Sequence, residues 1–64
     1  MLKQLRNQAG LSQSQLAMIA DVSIRMIQKY EIGDKDIQKA QAITVYKLAR
    51  ALDCSMEDVI GVSK

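Results

Sequence analysis

The chain has no histidine, no proline, no tryptophan, no phenylalanine and a single cysteine among its 64 residues. Without histidine, the commonest general base and a principal metal ligand are missing. One thiol cannot build a disulfide framework, and a zinc site or a redox pair would need partners that the sequence lacks. The longest strictly apolar run is Leu16-Ala17-Met18-Ile19-Ala20, five residues, far short of the ~20 that cross a bilayer. No basic segment followed by a long apolar stretch marks a secretion signal. A reducing cytoplasm is the expected setting, and no cofactor, metal or catalytic residue is expected.

What is present is helical material. Hydrophobic residues make up 48% of the chain, too many for disorder, and 64 residues hold one domain, expected to cover residues 1–64. The missing proline and the scattered β-branched residues favour an all-α fold. Gly10, Gly33 and Gly61 each follow a stretch with helical spacing, where a left-handed residue ends a helix. Asp21 and Asp53 fall at two further breaks and belong to the few non-glycine types that tolerate that conformation.

These breaks define a compact five-helix bundle. The first helix is expected over residues 2–9, with Leu2, Leu5 and Ala9 on one stripe. The second starts at Ser12, which with Gln15 three residues later forms a capping box, and turns Leu16, Ala17 and Ala20 inward. The third follows Ser23, a good N-cap, and sends Ile27 and Tyr30 to the core. The fourth is expected over residues 40–52, with Ala42, Val45, Ala49 and Leu52 at steps of three and four. Ser55 caps a short fifth helix bearing Met56, Val59 and Ile60, with Glu57 and Asp58 in its first turn, where the helix dipole favours anions. Residues 32–39 are expected to form a polar loop. So small a core supplies only about 3–5 kcal/mol. Met56, Val59, Ile60 and Val62 are therefore candidates for a homodimer contact, the plainer assignment being that they close the core over the first helix.

Residues 13–30 are the informative stretch. Two short helices joined by three or four residues can cross steeply only if a small residue sits at their closest approach, and Ala17 fits. Asp21 suits a positive-φ turn, Val22 can bury itself in that turn, and Ile27 can return from the second helix. This is the helix-turn-helix pattern, whose second helix lies in the DNA major groove.

With its flanks, the chain resembles the phage repressor and Cro type of helix-turn-helix regulators, the XRE family, whose fold is lambda-repressor-like. The resemblance rests on Leu5-Arg6, Gly10-Leu11-Ser12-Gln13, Leu16-Ala17, Val22-Ser23, Ile27, Glu31, Gly33, Leu48-Ala49-Arg50-Ala51-Leu52 and Ser55 to Ile60. It implies a sequence-specific regulator of double-stranded DNA, a repressor rather than an activator, bacterial or phage-borne, cytoplasmic and nucleoid-associated. It further implies a near-palindromic operator. By the same likeness, a recognition helix over residues 23–31 carries Ile24, Arg25, Gln28 and Lys29 to base edges. Gln13 and Ser23 match phosphate contacts, and Lys35 and Lys39 lie near the loop that follows the DNA backbone. Arg6 and Glu31 match a structural salt bridge between the first and third helices.

The residue chemistry agrees with these roles. Arg25 can offer two donors to guanine O6 and N7, and Ile24 a methyl surface to thymine. In residues 1–30, Lys3, Arg6, Arg25 and Lys29 against Asp21 give a net +3, whereas residues 31–64 carry a net −1. Three departures from the family pattern stand out. Asp21 and Asp53 replace glycines usual at those turns, and the loop over residues 32–39 is about three residues longer and carries Asp34 and Asp36, acids that oppose phosphate contact. A protein-interaction module of the same fold, such as an antitoxin or a regulator's partner, is the alternative. It draws on the small net charge of +2, the acidic loop, and outward Ile24 and Ile43. Cys54 is expected to be a small packing residue, and Tyr46 a core or rim residue.

Overall fold

A computed structural model describes residues 2–61. It contains α1 (Leu2–Gln8), α2 (Gln13–Ala20), α3 (Ile24–Glu31), α4 (Ala42–Leu52) and α5 (Met56–Ile60), with a 3-10 turn (Ile37–Lys39) between α3 and α4. No strand occurs among the described residues. The all-α expectation and the five helices hold.

The helix starts are set by side chains that accept otherwise orphaned N–H groups. Ser12 Oγ accepts from Gln15 N at 3.1 Å while Ser12 N donates to Gln15 Oε1 at 2.8 Å, closing the capping box of α2. Ser55 and Asp58 make the same reciprocal pair on α5, at 3.0 and 3.2 Å. Ser23 Oγ accepts from Arg25 N at 3.2 Å and opens α3.

Four of the helix ends share one device. At Gly10, Asp21, Gly33 and Asp53 the backbone turns left-handed, with φ of 73°, 55°, 81° and 54°. In each case the next residue's N–H donates five residues back: Leu11 to Arg6, Val22 to Ala17, Asp34 to Lys29 and Cys54 to Ala49, at 2.9–3.1 Å. This is the bond that ends a helix through a left-handed C′ residue. A side chain added at Gly10 or Gly33 would meet nothing within 4 Å, so backbone conformation rather than space selects glycine there.

The core draws one fully buried side chain from each of four helices: Leu16, Ile27, Leu48 and Val59. Leu2, Ala20, Val45, Ala49 and Leu52 complete it. Each large aliphatic side chain buried this way contributes about 1.5–3 kcal/mol. α4 packs on α2 and α5, α2 crosses α3, and α1 closes the bundle against α3 and α5.

Several expectations need correction. Val59 is fully buried within its own chain, so it cannot meet a second copy; Met56 and Ile60 also pack on the core, half-buried. They are drawn inward because α5 is the element that covers α1 and α4. Val62 lies outside the described residues. Ala40 is extended, at φ −68° and ψ 155°, and α4 begins at Ala42. Ala42 and Ala9 are exposed, and Leu48 takes the central place on the α4 stripe. The loop holds its own 3-10 turn, capped by Asp36, whose carboxylate accepts from Gln38 N at 3.0 Å. Asp36 thus has a structural task, and Gln38 Nε2 ties the loop to α5 by donating to the Ile60 carbonyl at 3.2 Å.

Candidate nucleic-acid interface

The crossing of α2 and α3 decides which side of α3 is free. Ile27 has no exposed surface, on a helix that packs against α2 and α1, and the half-buried Tyr30 packs against the same core. At 100° per residue, Ile24, Gln28, Arg25 and Lys29 then share one arc of about 140° on the opposite side. All four are exposed, and no hydrogen bond or ion pair within the described residues engages their side chains. Ser23, also exposed, precedes them as the N-cap.

On one flank of this arc lies Glu31, whose side chain is 3% exposed. Its Oε2 accepts from Arg6 Nε at 2.7 Å, and its Oε1 accepts from Arg6 Nη2 and from Gln13 Nε2, each at 3.0 Å. Arg6 Nη1 donates in turn to the Leu11 carbonyl at 2.8 Å. Desolvation pushes the Glu31 carboxyl upward, but the hydrogen bonds from Arg6 and Gln13 and the charges of Arg6 and Lys3 outweigh it, leaving the group below its ordinary value. The Glu31 hydrogen bond likewise raises Arg6, against the opposing pull of its own desolvation. The expected Arg6–Glu31 pair is therefore present, with Gln13 joined to it.

On the other flank, an open cleft is walled by Met26 and Tyr30 of α3, by Lys35, Asp36 and Lys39 of the loop, and by Gln41 and Thr44 at the start of α4. Lys35 and Lys39 are exposed, and Lys35 Nζ approaches Met26 Sδ at 3.9 Å. The fold thus sets Gln13 on one side of the α3 arc and the two loop lysines on the other. Gln41 provides no side-chain cap for α4, so an uncapped helix start, a source of positive potential, borders the same cleft. Sequence reasoning missed it because it began α4 two residues early, and glutamine is a poor N-cap signal.

The remaining polar and reactive groups lie elsewhere. Tyr46 is a rim residue, its ring 5.9 Å from the Arg50 guanidinium carbon. Cys54 is half-buried, and burial, then Asp58 and Asp53, raise its thiol above the ordinary value. No group of three or more potential metal ligands clusters among the described residues, and none of the described helices is long and apolar enough to cross a membrane.

Two short helices packed on each other and joined by three residues, with the second one's outer arc left open, define a helix-turn-helix protein. Residues 2–59 match the helix-turn-helix family, and the chain belongs to that family. The match is consistent with the phage repressor and Cro type, and the family's proteins are DNA-binding transcription regulators rather than enzymes. Neither the curated proteins nor the solved structures include a significant match to the chain.

Proposed function

We propose that residues 1–64 act as one sequence-specific domain on double-stranded DNA, with α3 in the major groove. One observation carries this: Ile27 is sealed in the core while Ile24, Arg25, Gln28 and Lys29 stand exposed on the opposite arc of the same helix. In this proposal those four side chains meet base edges. Gln13, Ser23, Lys35 and Lys39 hold phosphates and so set the register. The protein would act in the cytoplasm as a repressor, occupying DNA that polymerase needs.

Two copies are needed for a near-palindromic operator. A single copy measures 29 Å in its longest direction and offers one such helix, whereas successive major grooves on one face of DNA lie about 34 Å apart. Selection from a random duplex pool, followed by titration of the winning site at two salt concentrations, tests the proposal. The expected result is a symmetric site with half-sites about 10 base pairs apart. With about six phosphates neutralised, the log–log salt slope should be near −5.

Exposed Met18, Ile19, Ile43 and Tyr46 on α2 and α4 favour a second reading, a protein-interaction module of the same fold. Failure to enrich any sequence, together with no DNA association at low salt, would select that reading and reject the first.

A further inference from the structure

We propose that Glu31 is a positioning residue for DNA contact, locking the Gln13 side-chain amide in one orientation at the start of α2. The inference rests on the DNA reading above and adds to it a residue that itself touches no DNA.

The argument begins with what each group can do. An ionised carboxylate only accepts hydrogen bonds, whereas a primary amide has a donating and an accepting end. Gln13 Nε2 lies 3.0 Å from Glu31 Oε1, across eighteen positions of sequence. The reversed amide would set its oxygen against a carboxylate oxygen, two acceptors with no proton between them. Gln13 is therefore held with one N–H turned inward. Its second N–H is left for an outside acceptor, the need of a phosphate oxygen.

Glu31 cannot swing away to relax this constraint. Arg6 grips both of its oxygens, at 2.7 and 3.0 Å, and Arg6 is itself anchored on the Leu11 carbonyl at 2.8 Å. Such two-pronged pairing fixes geometry as well as charge. The network joins the last turn of α1, the residue before the Ser12 cap, the first residue of α2 and the last residue of α3. Arg6 and Glu31 cancel in charge, so their contribution to phosphate binding lies in orientation rather than in added attraction. An amide held in place loses less freedom when it binds, and that preorganisation raises affinity.

A double-mutant cycle tests this on the intact chain, using Gln13→Ala, Glu31→Gln and the double variant, with affinity measured on the duplex selected above. A charge-assisted phosphate contact is worth about 1.5 kcal/mol, so Gln13→Ala should weaken binding roughly tenfold. Glu31→Gln should weaken it about three- to tenfold, and the double variant should be no weaker than Gln13→Ala. Losses that multiply would overturn the proposal, since Glu31 would then act independently of Gln13. Should Glu31→Gln fail to fold, Glu31→Asp replaces it, keeping a charge opposite Arg6 while drawing the carboxylate back by about 1.5 Å.

A second measurement needs no DNA. The two Gln13 amide-proton resonances of the free protein should be displaced from free-glutamine positions, and should return to them in the Glu31 variant. Free-glutamine positions in the parent would overturn the lock itself. Displaced resonances with no binding to any duplex would instead overturn the DNA reading, and with it the contact that the lock serves.

Discussion

Ile24 and Ile27 are the same residue type, three positions apart on one eight-residue helix, and the fold treats them in opposite ways. Ile27 has no exposed surface; Ile24 is 36% exposed, with Arg25, Gln28 and Lys29 beside it. Intrinsic preference cannot separate two isoleucines on one helix. The difference comes from where α2 and α1 pack on α3, which buries one arc and leaves the opposite one exposed. Inner residues answer to packing. The outer ones make no side-chain hydrogen bond or ion pair among the described residues, and the proposed role outside the chain accounts for their chemistry.

The largest test of that contrast is Ile27→Ala. Removing a sealed aliphatic side chain should cost about 3–4 kcal/mol, nearly all the stability of so small a domain, and urea denaturation would show a largely unfolded protein. Ile24→Ala should cost well under about 1 kcal/mol in the same assay. Equal losses would erase the distinction between the two faces.

Next in size is Arg6→Met, which leaves the Glu31 carboxylate buried without its main partner and should cost about 2–3 kcal/mol near neutral pH. The pH dependence has a definite sign. Glu31 is held below its ordinary value in the folded protein, so its contribution is complete above the unfolded-state carboxylate value. It fades as pH falls through the lower folded value. Without Arg6 the desolvation that opposes this loses its counterweight. Urea midpoints measured down a pH series should therefore fall more steeply for the parent than for the variant.

On the outer arc, Arg25→Ala should leave the urea midpoint nearly unchanged and remove about 1–3 kcal/mol of discrimination at a single base pair. Lys35→Ala should instead weaken all duplexes alike and reduce the salt slope by about one. Titrations on the selected site and on single-mismatch duplexes separate the two patterns. Equal weakening on every sequence for Arg25→Ala would contradict its proposed place at a base edge.

The smallest expected effects lie at the helix ends. Asp21 and Asp53 both sit in left-handed backbone, at φ of 55° and 54°, with their charge at the negative end of the preceding helix. Replacing either by glycine should raise stability by about 0.5–1 kcal/mol. Asp53→Gly should gain slightly more, because Asp21 stands 3.8 Å from Lys47 Nζ in an exposed pair worth a few tenths of a kcal/mol at most. Thermal or urea unfolding of both variants checks the sign and the order.

Much of the architecture is legible along the chain because its signals are local. Ser12 with Gln15 announces a helix start through bonds spanning three residues, and Asp21 and Asp53 announce ends through a conformation few residue types accept. Steps of three and four placed Leu16, Ile27 and Val45 in the core. Leu48 belongs to the same stripe as Val45 and Leu52, yet a path stepped through Ala42 and Ala49 passes it by. The 3-10 turn over Ile37–Lys39 escaped notice because its signal is one aspartate cap in a charged loop, which reads equally well as a solvated acid.

By itself, then, the order of residues determined an all-helical chain, its breakpoints, the two helices of the helix-turn-helix and the residue types on the outer arc. Each of these rests on interactions between neighbours a few positions apart. Only the tertiary structure decided that Gln13 shares a buried carboxylate with Arg6, that Lys35 and Lys39 border one cleft with the start of α4, and that Val59 is spent inside the core. Those outcomes depend on the angle and depth at which separate helices meet. That geometry is set by the packing of the whole core, and no short stretch of sequence contains it.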